Sequence, residues 1–192
     1  MAFGPSRARG RERVRVIAGS LKGRRLKAPT WTGLRPTSDK LRETMFNILA
    51  PRIAGARVLD GYAGTGAVGI EALSRGAAAV TFVERDRRAQ ALIAENLAHC
   101  GVADGYVIIR ASVARAAAGL LADPFDIMIF DPPYDERADD LLAAAGEHLA
   151  ADGVLVLEHA RRAASPHRAG GLRKAREVRS GDSALSFYVA DT

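Results

Sequence analysis

The run Ile127-Met128-Ile129-Phe130, followed at once by Asp131-Pro132-Pro133-Tyr134, restricts this chain more than any other stretch. Consecutive apolar residues without polar alternation read as a strand buried on both faces, the habit of a parallel sheet. Pro132 and Pro133 have no N–H to give, so a central strand must stop there, and Asp131 is driven into an extended conformation. A stiff loop therefore leaves the carboxyl end of a strand, where open α/β sheets bind ligands. Asp131 and the Pro132 carbonyl can accept both N–H bonds of an exocyclic amine while Tyr134 stacks on the attached base. The competing reading is an ordinary proline-rich turn with Asp131 capping the next helix, and the sequence upstream has to decide.

From Arg57 onward strand, loop and helix alternate, the pattern of a parallel sheet. Val58-Leu59 runs into Asp60-Gly61-Tyr62-Ala63-Gly64-Thr65-Gly66-Ala67-Val68-Gly69 and a helix over 70–75. Val80–Val83 ends in Glu84 before a helix over 87–99, and Val107–Ile109 precedes one around 113–121. After the fourth strand at 127–130 come a helix over 138–149, a strand over 153–157 and an extended pair, 174–178 and 184–189. Ser180-Gly181-Asp182-Ser183 between that pair is turn chemistry. The stretch 161–174 reads as a loose basic surface loop.

Gly64-x-Gly66-x-x-Gly69 after a strand and opening a helix suits close approach of backbone N–H groups to a ligand. Glu84, twenty residues on, can accept both hydroxyls of an adenosine ribose, in a nicotinamide dinucleotide or in S-adenosylmethionine alike. Asp60 separates the two. A carboxylate before the glycine loop opposes a pyrophosphate, whereas S-adenosylmethionine brings an ammonium and a sulfonium and no phosphate.

The charge is uneven. Residues 1–52 hold thirteen Lys and Arg against three acids, net +10, and the remainder fifteen against nineteen, net −4. A basic segment on a mildly acidic body is the footprint of phosphate-backbone binding. Residues 1–13 read as a basic flexible tail. Residues 14–52 read as a basic hairpin and helix, an extension suited to a phosphate backbone: the hairpin carries Lys22, Arg24, Arg25 and Lys27 with no acid among them, and Pro29 ends it. Ser38 or Thr37 caps the helix, whose apolar face is Leu41, Met45, Ile48 and Leu49. Residues 53–192 form the catalytic domain. One cysteine, Cys100, gives no internal disulfide and fits a reducing cytoplasm; four scattered histidines give no metal site. No apolar run approaches the roughly 20 residues of a membrane span, and the N-terminus has no signal-peptide core.

Together these motifs resemble the class I S-adenosylmethionine methyltransferases that act on exocyclic amines of nucleic-acid bases, and more closely the RsmD-type enzymes. Arg15-Val16-Ile17-Ala18-Gly19, Lys22-Gly23-Arg24-Arg25-Leu26, the stretch Arg35 to Glu43 and Phe46-Asn47-Ile48-Leu49 resemble the N-terminal region of that family. Gly69-Ile70-Glu71-Ala72-Leu73-Ser74-Arg75-Gly76-Ala77 and Phe82-Val83-Glu84 extend the likeness. It implies a Rossmann-like seven-stranded sheet, mostly parallel with one antiparallel strand, and methyl transfer to the N2 amine of a guanine in 16S ribosomal RNA. The catalytic group is Asp131, Pro132, Pro133 and Tyr134. The cofactor set is Asp60, Tyr62, Ala63, Gly64, Gly66, Glu84, Arg85, Ser112 and Asp131, with Ser112 where the family usually has an acid. The RNA-binding set is Lys22, Arg24, Arg25, Lys27, Arg35, Thr37, Lys40 and Arg42. The implied protein is a cytoplasmic monomer acting on the 30S subunit or its precursor, without metal or membrane. An adenine-N6 DNA methyltransferase, a protein-glutamine methyltransferase and a non-catalytic RNA-binding assembly factor remain the alternatives.

Overall fold

The computed structural model describes residues 14–29, 31, 38–119, 121, 123–133 and 136–191. In chain order the elements are α1 (Asp39–Ile53), β1 (Arg57–Gly61), α2 (Ala67–Ser74), β2 (Ala79–Val83), α3 (Arg87–Cys100), β3 (Tyr106–Ile109), α4 (Val113–Ala117), β4 (Phe125–Phe130), α5 (Ala138–Gly146), β5 (Leu149–Ala160), β6 (Arg168–Ala169), β7 (Leu172–Ser180) and β8 (Ser183–Ala190). The strands form one sheet in the order β3-β2-β1-β4-β5-β8-β7-β6. The first five pair in parallel; β8 is antiparallel between β5 and β7, and β6 is antiparallel to β7. The sheet therefore has eight strands where the sequence suggests seven. The addition is the two-residue β6, a second reversed strand within the stretch read as a loose loop. None of the described helices is long and apolar enough to cross a membrane.

Each face of the sheet buries its own core. One holds Val58, Phe82, Ile127 and Val156, the other Leu59, Met128, Phe130, Leu155 and Tyr188. Alternate residues of the same strands feed the two, as a sheet covered on both faces requires. Helix ends follow their sequence signals. The Ser38 side chain accepts from the Leu41 N–H at 3.3 Å, and that of Asp86 from the Arg88 N–H at 2.8 Å. Gly66 enters α2 from the left-handed region, φ +76°, which a side chain would resist.

The N-terminal hairpin is present as one antiparallel bridge, Arg15 to Arg25, with the Val16 N–H donating to the Arg24 carbonyl at 2.9 Å. Val14, Val16 and Leu26 join the core of Val58 and Phe82, so the hairpin and the sheet share one interior. The attachment is polar. Glu71 of α2, with no exposed surface, accepts from the Ile17 N–H at 2.7 Å, the Ala18 N–H at 3.0 Å and Arg75 Nε at 2.7 Å. Ser74 Oγ takes the Leu21 N–H at 2.9 Å. Gly19, φ +82°, lies so close to Ser74 that a Cβ would overlap its carbonyl oxygen. At the other end Asn96 Oδ1 accepts from the Lys27 N–H at 2.7 Å.

Removing one member of a buried charged network leaves the others unpaired and costs about 3–5 kcal/mol. Glu71→Ala should therefore lower the melting temperature by on the order of 10 °C, at about 2–4 °C per kcal/mol for a chain of this size. Calorimetry of the variant beside the parent checks it, and an unchanged melting temperature would show that the clamp contributes nothing.

Candidate active site

The carboxyl ends of the parallel strands bound a cavity of about 270 Å³, walled by Tyr62, Glu84, Arg85, Ser112, Pro133 and Glu136. Val83, Ala111 and Val113 supply its apolar side. The strand order places it, because β2, β1 and β4 are neighbours and each ends at the same level: Gly61 pairs with Val83 on one side and with Phe130 on the other. Tyr62 and Glu84, the residues directly after β1 and β2, wall it, and from the loop after β4 Pro133 does.

Two enclosed carboxylates fix the loop between β1 and α2. Asp60 Oδ2 accepts from the Gly69 N–H at 2.8 Å. Glu84 accepts from the Gly64 N–H at 3.0 Å and from the Asp86 N–H at 2.9 Å. An ionised carboxylate has about four acceptor sites, so Glu84 can hold the loop and still receive donors from the cavity. Asp60 is more deeply set, 3% exposed, and is not among the walls. Burial drives its pKa up to about 7; the Gly69 bond opposes the rise and the Glu84 charge adds to it.

Tyr62 is the non-glycine residue with positive φ, +64°, among those described. Such a backbone persists only where its surroundings impose it. Its ring meets Phe130 edge-on, centroids 6.3 Å apart. Burial first, then the Glu136 carboxylate, keep its hydroxyl protonated. Ser112 caps α4, accepting from the Arg115 N–H at 3.3 Å, and its exposed side chain borders the cavity.

Of the sequence-assigned cofactor residues, Tyr62, Glu84, Arg85 and Ser112 wall the cavity, while Asp60, Ala63, Gly64 and Gly66 build the loop behind it. Asp131 is exposed directly beyond β4, Pro132 is half-buried, and Pro133 forms part of the wall. Tyr134, Arg35, Thr37 and residues 1–13 lie outside the described residues. Lys22, Arg24, Arg25, Lys27 and Lys40 are exposed. Lys27 is not without an acid, because Glu95 of α3 meets its Nζ at 3.1 Å in an exposed pair of little energetic weight.

Arg42 corrects the sequence reading. The resemblance places it in the RNA-binding set, but it is wholly buried, its guanidinium donating to the Arg15 carbonyl and to Asp39 Oδ1, the latter at 2.9 Å. A side chain so enclosed cannot reach a phosphate. The signal was in the spacing: Arg42 stands three, four and seven residues before Met45, Phe46 and Leu49, on the buried stripe of α1. Glu136, at the mouth of the cavity, was missed because it lies past the motif in a stretch without periodicity. Asn96 was missed because a polar residue in an amphipathic helix reads as solvent-facing. It is fully buried and donates to the carbonyls of Lys27 at 3.2 Å and Thr65 at 2.9 Å.

A parallel sheet in this order, closed by one internal reversed strand and carrying a glycine loop between strand-end carboxylates, is a class I methyltransferase fold. Residues 14–189 match the model of the family described as conserved hypothetical protein 95. The chain belongs to that family, the one that includes the ribosomal RNA small subunit methyltransferase D proteins. The Bacillus subtilis protein YlbH, provisionally named an rRNA methyltransferase, is 39% identical over 91% of this chain and 98% of its own length. Ribosomal RNA small subunit methyltransferase D of Escherichia coli is 42% identical over 65% of this chain, and that match spans 62% of the enzyme's length. Among solved structures, the Escherichia coli protein yhhF, provisionally described as a methyltransferase, superposes with TM-score 0.80 at 30% identity, covering 94% of this chain and 99% of its own.

The Asp60 carboxyl binds its proton more tightly in the folded chain, about 7 against an ordinary value of 3.8. Its stabilising contribution is therefore complete below about pH 4 and is lost as the pH rises through about 7. Asp60→Asn has no such proton to lose. Urea unfolding of ligand-free protein should show the difference in stability moving in the variant's favour over that window, by on the order of 4 kcal/mol. A difference that stays constant with pH would place the proton elsewhere.

Proposed function

We propose that this methyltransferase moves a methyl group from S-adenosylmethionine to the exocyclic N2 amine of a guanine in 16S ribosomal RNA. The observation that carries the reading is Pro133: the residue two beyond Asp131 is a wall of the same cavity as Glu84, so acceptor motif and cofactor pocket are one site. The names borne by the relatives point to ribosomal RNA as substrate.

The residues present fit the cofactor. Glu84 offers acceptors for ribose hydroxyls, Val83, Ala111 and Val113 offer an apolar side for adenine, and the Asp60 carboxylate behind the loop favours a cationic ligand over a phosphate. When bound, S-adenosylmethionine supplies a methyl group on a positively charged sulfur. The chain's task lies with the other reactant. A guanine N2 lone pair is delocalised into the ring and is a weak nucleophile. Asp131 and the Pro132 carbonyl accept its two N–H bonds, aim the lone pair and offset the positive charge that grows on the nitrogen, while proximity lowers the barrier further. The base must leave its stack to enter, and Tyr134 is the stacking platform in this reading. Lys22, Arg24, Arg25 and Lys40 form the N-terminal phosphate-binding surface. The substrate is the RNA of an assembling or assembled 30S particle, and the enzyme acts as a cytoplasmic monomer.

Incubation with labelled S-adenosylmethionine and, separately, unmodified 16S RNA, 30S particles and DNA should label N2 of one guanine in the ribosomal substrates and leave DNA unlabelled. Label on adenine N6 would refute the assignment. Asp131→Ala should cut single-turnover rates by about 10²-fold or more with cofactor affinity unchanged. Glu84→Ala should instead weaken cofactor binding by about 1–3 kcal/mol in calorimetry. If Asp131→Ala turns over normally, the proline loop is a structural turn.

A further inference from the structure

A second cavity, a groove of about 600 Å³, lies three strands across from the acceptor motif, between the loop after β5 and the far half of β7. Its lining holds Arg161, Arg162, Lys174, Arg176 and Arg179 against the single carboxylate of Glu177. That carboxylate is already engaged, by Lys174 Nζ at 3.1 Å and by Arg179 at 2.8 Å. Arg161, Arg162 and Arg176 are exposed, and none of them forms an ion pair among the described residues.

The stretch around them is built rather than loose, which departs from the sequence reading of a loose basic loop. Buried Ser165 shares a hydrogen bond with Ser186 at 2.7 Å and accepts from Lys174 Nζ at 2.9 Å. The Tyr188 hydroxyl donates to the Pro166 carbonyl at 2.9 Å, and the Arg161 N–H donates to the Asp182 carbonyl at 2.7 Å. An extra residue in β7 between Lys174 and Arg176 lets Lys174 and Glu177, three apart, meet on this floor. A groove lined by five cations against one carboxylate focuses a positive field and concentrates anions.

The register says where the groove points. Phe130 pairs with Leu157, Leu157 with Ser186, and Ser186 with Glu177, so these four form one row across the sheet. Asp131 follows the first of them, and the last is the groove's own carboxylate. Three strand spacings of about 4.8 Å put the groove about 14 Å from the acceptor motif. Arg161, Arg162 and Arg179 lie beyond that row, toward the same carboxyl edge. Phe130 and Leu157 of that row belong to the core against which Tyr62 packs, so the row and Tyr62 lie on the same side of the sheet.

We propose that this groove binds the phosphodiester backbone of the RNA strand that carries the target base, a few nucleotides to one side of it. The inference rests on RNA being the substrate. It makes the RNA contact two-sided, with the N-terminal hairpin and the Arg161–Arg179 groove as separate cationic surfaces around one acceptor site.

The test is the full-length triple variant R161A/R162A/R176A against the parent chain, titrated with a 16S RNA fragment over a range of salt. Three lost single-strand phosphate contacts should lower the log–log salt slope by about 2 and weaken binding at least tenfold at about 0.15 M salt. Calorimetric affinity for S-adenosylmethionine and the melting temperature should not move, and R161K/R162K/R176K should retain most of the slope. Equal affinity and slope in variant and parent would overturn the proposal while leaving the methyltransferase reading intact. A defect confined to assembled particles, absent on naked RNA, would also overturn it, in favour of an acidic protein surface. Should the parent methylate no ribosomal RNA yet bind RNA through this groove, the activity assignment fails and the groove stands.

Discussion

The Glu71 carboxylate is sealed from solvent, and the chain around it must satisfy its charge. It does so with two backbone N–H groups of the N-terminal hairpin and with Arg75 one turn on, whose guanidinium also lies over the Phe46 ring with 5.0 Å to the centroid. Helix α2 thereby becomes the common support of two parts with different tasks. Its amino end is fixed to β1 by Asp60 through the Gly69 N–H, and its carboxyl end takes the hairpin turn on Ser74. The glycine loop, the helix and the basic hairpin cannot move separately without exposing or unpairing a buried charge, a cost of several kcal/mol.

Much of this was legible beforehand because sheets of this kind are written in strand ends. Asp60, Glu84 and Asp131 each follow an apolar run, and parallel pairing in register brings those ends to one edge whatever the helices do. What stayed illegible depended on contacts between segments far apart in sequence. Arg42 looked like part of a basic surface because nothing local says that its guanidinium meets the Arg15 carbonyl. Asn96 carries no signal of burial in the sequence because its partners are 69 and 31 residues away. The additional strand, β6, is two residues long, too short for any periodicity to show. Helix α4 runs only from Val113 to Ala117, where the apolar pattern extends to Leu121.

Charge is arranged on a consistent plan. Carboxylates gather at the centre of the carboxyl edge, where Asp60, Glu84, Asp131 and Glu136 surround or adjoin the cavity. Exposed cations that form no ion pair among the described residues stand to either side, Lys22, Arg24 and Arg25 on the hairpin and Arg161, Arg162 and Arg176 on the groove beyond β5. A cationic small ligand is drawn to the middle and a polyanion is repelled from it except where a single base can be inserted.

The separation of hairpin and pocket suggested by their different compositions does not survive the contacts. Asn96 donates through one amide nitrogen to Thr65 in the glycine loop and to Lys27 in the hairpin, and its oxygen accepts from the Lys27 N–H. One fully buried side chain thus spans both surfaces. A displacement of the hairpin has to be absorbed either by that amide, at the cost of an unsatisfied polar group of about 1–3 kcal/mol, or by the glycine loop itself. Because both ends of the bridge are backbone atoms, no change of rotamer elsewhere can relieve it. The amide thus ties the hairpin backbone at Lys27 to the glycine loop at Thr65, and any coupling free energy carried between the two is equal in both directions.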